Sequence, residues 1–78
     1  MPDDQGPLFQ WTIYEDPSDF PGKWVVRRFS IRRGSVEADP EPLLVTDSLE
    51  AAREVIPKGA YCLGRHPDDD PAIYEVWT

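Results

Sequence analysis

The only thiol and the only imidazole of the sequence, Cys62 and His66, lie four residues apart. They are the one pair in the chain with the chemistry of an activated sulfur nucleophile. On an extended strand that spacing separates them by roughly 13 Å, at ~3.3 Å per residue. Thiolate activation needs hydrogen-bond reach, about 2.6–3.2 Å. A tight turn at Gly64 would close the gap, but nothing in the spacing demands one. The expectation is a small buried cysteine and a histidine in a loop.

His66 with Asp68, Asp69 and Asp70 offers hard ligands for a cation. An EF-hand loop, however, alternates its ligands around a central glycine, and no glycine follows this aspartate run. An acidic turn bounded by Pro67 and Pro71 is the expected reading. One Cys and one His cannot close a four-ligand zinc site. Glu75 is the one carboxylate set among large apolar residues. Alternation puts it beside Ile73 and Trp77, so it is expected to be partly buried and paired across strands with Arg28 or Arg65. The glycines are scattered through turns, with no phosphate-binding loop, and no second histidine can serve a serine nucleophile. Enzyme or ligand-binding domain is therefore the third-ranked class; no catalytic residue, metal or cofactor is expected.

The basic segment offers a different chemistry. Trp24, Arg28 and Arg32 share one side of a strand pattern, with Val26 and Ser30 between them. Aromatic rings and guanidinium groups on a sheet are how several single-strand binders hold bases. The segment lacks the Gly and aromatic pattern of an RRM sheet, and a pI of about 4.4 opposes polyanions. Nucleic acid is disfavoured, and pairing of these arginines with nearby acids is expected instead. The charge runs in blocks. Residues 1–22 hold acids only, 23–34 bases only and 35–50 acids only, within a net charge of −7.

The elements that must position these residues follow from periodicity. Residues 1–7 read as a flexible start and 8–78 as a single domain. From Leu8 the pattern alternates, with Phe9, Trp11 and Ile13 on one side, which reads as a half-buried strand ending at Glu15. Asp16 to Gly22 is turn chemistry. Lys23 to Ile31 is a second strand, its faces Val25–Arg27–Phe29–Ile31 and Trp24–Val26–Arg28–Ser30–Arg32. Residues 34–42 read as a loop and Leu43–Val45 as a short strand. Asp47 and Glu50 have the spacing of a capping box for a helix over Ser48–Ile56, with Leu49, Ala52, Val55 and Ile56 as its buried stripe. Ala60–Gly64 and Ile73–Trp77 read as a closing hairpin. The expected core comprises Phe9 or Trp11, Ile13, Val25, Phe29, Ile31, Leu49, Ala52, Ile56, Leu63, and Val76 or Trp77.

These elements define an α+β fold: a mostly antiparallel sheet of four to five strands with one short helix on one face, in the order β-β-β-α-β-β. At 78 residues one core leaves modest stability, and with one cysteine it rests on packing. Each large aromatic ring can bury on the order of 150–250 Å².

No signal-peptide pattern opens the sequence. No apolar run nears the roughly 18 residues of a membrane helix. With an unpaired thiol, a cytoplasmic protein without a membrane partner is expected. Two stretches, WTIYEDPSDFPGKWVVRR over 11–28 and PDDDPAIYEVW over 67–77, resemble a family of short, uncharacterised bacterial proteins. The resemblance spans most of residues 11–77 and implies a bacterial, stand-alone, non-secreted chain. It carries over no functional residue, because that family has no assigned activity.

The leading functional expectation is a protein-interaction module. Its surface would be the sheet face of Trp24, Val26, Arg28 and Arg32, joined by Tyr14 and Tyr74 and left open by the helix. Its partner would be another protein or a second copy in a homodimer. The runner-up is an acidic inhibitor that mimics nucleic acid to occupy a basic protein.

Overall fold

The computed structural model describes residues 8–65 and 70–78. The expected flexible start and most of the 66–70 turn lie outside the described residues. The fold is α+β, with six strands in one antiparallel sheet and one short helix. The strands are β1 (Leu8–Glu15), β2 (Trp24–Arg32), β3 (Ser35–Ala38), β4 (Leu44–Thr46), β5 (Cys62–Gly64) and β6 (Ile73–Trp77), with α1 (Leu49–Glu54) between β4 and β5. The order across the sheet is β3-β2-β1-β6-β5, and β4 shares the outer side of β2 with β3.

β3 is the strand that sequence reasoning had as loop. After β2 the chain reverses through Arg33 and Gly34, whose φ of 81° is open to glycine without a Cβ clash. It then pairs back, Arg32 with Ser35 and Phe29 with Ala38. Asp39 N–H donates to the Arg28 carbonyl at 2.9 Å and Leu43 N–H to the Val26 carbonyl at 2.7 Å, so even the Pro40–Pro42 stretch is pinned beside β2. Four residues with no strong alternation are too short to announce a strand; the turn in front of them and the ladder of β2 make it one.

The β1–β2 connection is held by Asp16. Its φ of 53° is unusual for a non-glycine, but aspartate tolerates this region. Its Oδ1 accepts from Gly22 N–H at 2.7 Å. Pro17 in this connection is buried.

Register decides which face the helix takes. Ile13 pairs with Val26, and Val26 with Leu44 on its other side. Ile13, Val26, Ala52 and Ile56 form the core, with Trp11, Trp24, Leu44, Leu49, Val55, Ala60 and Trp77 packed on it. The helix therefore covers the Trp24–Val26 face. This corrects the expectation that the Val25–Phe29–Ile31 face carries the helix and leaves Trp24, Val26 and Arg28 open. Only Asp47 and Ser48 separate β4 from α1, so the helix must drop onto the face where Leu44 meets Val26. The opposite face is not bare at that end. Val25 is fully buried, and Asp19 of the β1–β2 connection reaches Arg27 there at 2.8 Å.

Two other expectations are corrected. Leu63 is 59% exposed rather than in the core, and Cys62 is exposed rather than buried. Both sit on β5, a three-residue edge strand whose pairing with β6 shifts register between Cys62 and Gly64. A strand this short at a sheet edge has too little covering it.

The helix begins one residue later than its expected start and ends sooner. Ser48, not Asp47, is the cap: its Oγ accepts from Ala51 N–H at 3.2 Å. Asp47 instead pairs with Lys23 at 2.5 Å, so no capping box forms with Glu50. A helix of six residues has no stability of its own and depends on that cap and on Ala52 and Ile56. Ser48→Ala is expected to cost about 1 kcal/mol, read as a lower urea midpoint at unchanged m-value. No helix among the described residues is long and apolar enough to cross a membrane.

Candidate functional site

The six residues expected to form a binding surface do not share one. Val26 is fully buried in the core and cannot touch a partner. Trp24 packs on that core and meets the Tyr74 ring edge-on at a centroid distance of 5.0 Å. A register shift in the β1–β6 ladder, where Ile13 pairs with Glu75 but Tyr14 with Ile73, leaves Tyr74 as the extra residue and lets it reach Trp24. Tyr14 lies on the other side, lining a shallow cleft of about 370 Å³ with Pro17, Asp19, Arg27, Asp70 and Ala72. Arg28 lies over the Phe9 ring at 4.7 Å, its Nε donating to Asp39 Oδ2 at 3.0 Å. Arg32 is exposed at the end of β2.

Bases of the basic segment meet acids from the acidic blocks around it. Lys23 pairs with Asp47, Arg27 with Asp19 and Arg28 with Asp39. The alternation of charge blocks along the chain is thus a pattern of intramolecular pairing. These exposed or half-exposed pairs contribute little energy each, but they neutralise the stripe that a nucleic acid would have to see.

Glu75 is partly buried, as its flanking residues imply, but its partner is neither Arg28 nor Arg65. Arg53 of α1 binds it with two of its three guanidinium nitrogens, Nε at 3.1 Å to Oε1 and a terminal nitrogen at 2.5 Å to Oε2. Trp77 Nε1 also donates to Oε1 at 3.1 Å. The Arg53 hydrogen bond, aided by the Trp77 indole, holds the carboxyl below its ordinary 4.5 against the opposing effect of burial. This is a strap between helix and sheet. Arg65 turns instead to the Ile73 carbonyl at 3.0 Å.

Among the described residues, no buried side-chain polar atom lacks a partner, and no group of three or more His, Cys, Asp or Glu residues converges. His66, Asp68 and Asp69 lie outside the described residues. Asp70 Oδ1 accepts from Ala72 N–H at 2.8 Å, an ordinary turn bond. In the cleft beside Tyr14, Arg27 and Asp19 are bonded to each other and Asp70 holds the Ala72 amide.

The surface that sequence reasoning missed is on the helix-free side of the sheet. Leu8 pairs with Ile31, and Ile31 with Val36. Their side chains line up in one row across β1, β2 and β3. Leu8 is 67% and Val36 65% exposed, and Ile31 between them is half-buried. The adjoining row sets Phe29 beside Ala38. Leu8 was legible as the first residue of the alternating stretch, but it faces away from Phe9, Trp11 and Ile13. Val36 was not legible, because it lay in an expected loop.

Compared with protein-family models, curated proteins and solved structures, the chain finds no match. The structure shows its class, an antiparallel sheet with one short helix on one face.

Proposed function

We propose that this protein is a small interaction module that binds a protein partner through the helix-free sheet face around Leu8, Ile31 and Val36. The observation that carries the reading is that row of paired apolar side chains, two of them about two-thirds exposed, on and beside β3, which ends the strand order of the described residues. Gln10, paired with Phe29 on the same face, gives the patch a polar margin, as at a binding surface. The exposed thiol of Cys62 suits a reducing, cytoplasmic setting.

The acidic-mimic reading has less behind it, since Asp19, Asp39, Asp47 and Glu75 are all tied to bases of the same chain. The test is quantitative affinity capture from a lysate of the source organism. Wild type is compared with a Leu8→Thr, Val36→Thr double variant whose circular dichroism is unchanged. At least one protein is expected to be retained by wild type and depleted about tenfold by the variant, a loss of ~1.4 kcal/mol. Identical capture profiles overturn the reading.

A further inference from the structure

β3 ends the strand order, with β2 on its inner side only. The 2.9 Å bond from Asp39 N–H to the Arg28 carbonyl marks a hydrogen-bonded pair at the end of the β2–β3 ladder. Such pairs alternate with non-bonded ones along antiparallel strands. Ser30–Glu37 and Arg32–Ser35 are therefore bonded pairs, while Phe29–Ala38 and Ile31–Val36 are not. It follows that the N–H and C=O groups of Val36 and Ala38 point away from β2, towards open solvent. No proline or lysine in β3 blocks that edge. The charges along it are arranged by sign: Arg32 and Arg33 precede Val36, and Glu37, Asp39 and Glu41 follow it.

We infer that two copies of this chain pair antiparallel along β3, about a two-fold axis through Val36, and join their sheets edge to edge. The inference rests on the interaction reading above and names its partner. In this register Val36 of one copy forms a hydrogen-bonded pair with Val36 of the second copy, and each Ala38 lies beside the Arg33–Gly34 turn of the other. The outward groups of Val36 are then used. The basic turn of each β3 hairpin lies along the acidic stretch of the other. The next register that uses the outward groups, displaced towards the acidic side, sets Glu37 against Glu37, where like charges repel. A parallel arrangement would lay acid along acid. The apolar row also continues through the axis, from Leu8, Ile31 and Val36 into Val36, Ile31 and Leu8 of the second copy. The contact is narrow, so the dimer is a weak one.

The test is sedimentation equilibrium of the full chain from low micromolar to near-millimolar concentration, for wild type and Val36→Pro. Proline at 36 removes an N–H that points away from β2, and an edge strand tolerates it there. Wild type is expected to reach a dimer as concentration rises. Val36→Pro is expected to weaken it at least about tenfold, the loss of the two bonds across the axis. Amide exchange at Val36 and Ala38 of wild type, followed by NMR, gives a second readout that holds even where the variant does not fold. These amides are expected to be protected at high concentration and open at low. A wild type that stays monomeric with both amides open throughout overturns the inference. So does a dimer that Val36→Pro leaves at wild-type strength. Val36→Pro keeps the apolar face, so a monomeric wild type that still loses a lysate partner with the Leu8 and Val36 threonine variant would sink the self-pairing alone and leave the interaction reading standing.

Discussion

Val26→Asp is expected to leave the chain largely unfolded, whereas Val36→Asp is expected to leave the fold intact. The two positions carry the same residue on the same sheet, and their environments are opposite. Val26 has no exposed surface and touches the core of Ile13, Ala52 and Ile56. Val36 is 65% exposed on an edge strand. A carboxylate at 26 would be sealed beneath the helix without a cation in the core to meet it, a cost of several kcal/mol. Small domains have a total stability near the lower end of about 5–15 kcal/mol, so that cost removes most of it. The same carboxylate at 36 stands in water and costs within about 0.5 kcal/mol. Far-UV circular dichroism at room temperature with urea titration reads both. A folded Val26→Asp protein with a near wild-type midpoint would mean that the helix does not cover this face.

The second large effect is expected at Glu75. Its carboxylate accepts from two nitrogens of Arg53 on the helix and from the Trp77 indole on its own strand. Glu75→Ala leaves the half-buried indole without its acceptor, a loss of about 1–3 kcal/mol. The Arg53 side adds less, because that guanidinium is 44% exposed and shared with water. Glu75→Gln keeps the shape and isolates the charge. The carboxyl titrates below its ordinary 4.5 in the folded chain, so the unfolded state takes up a proton first as pH falls. The stability it contributes is therefore fully present at neutral pH and down towards 4.5. It is lost as pH drops from there through the lower folded value. Urea unfolding stepped from neutral into acid should show wild-type stability falling through that window, and Glu75→Gln falling less. Equal slopes for the two proteins would show that the carboxylate is not held by its partners in solution.

Much of this protein is readable from local chemistry. Alternation located β1 from Leu8 to Glu15 and β6 from Ile73 to Trp77 at the ends observed, and β2 within a residue. Pro and Gly chemistry placed the connection over 16–22. The 3.6-residue stripe of Leu49, Ala52 and Ile56 marked the helix and the side it buries. Four buried residues, Ile13, Val25, Ala52 and Ile56, were legible because each sits at an apolar position of a regular period. The charge blocks foretold pairing in kind, acid block with basic block, though not the pairs themselves.

The choice of face belongs to tertiary structure. β2 alternates Val25, Arg27, Phe29 and Ile31 against Trp24, Val26, Arg28 and Arg32, and both sets mix apolar side chains with arginine. Periodicity says that two faces exist, not which one a helix covers. That was decided by β4, whose pairing sets Leu44 beside Val26 and whose short link commits α1 to that side. The partner of Glu75 was decided the same way, since Arg53 is distant in sequence and arrives only when the helix docks. β3 exists because β2 offers an edge on which Ser35–Ala38 can pair. With it came the row of Leu8, Ile31 and Val36, three residues far apart in the chain that no local pattern could join. A surface of this kind is a property of strand register, and register is set by which strands meet.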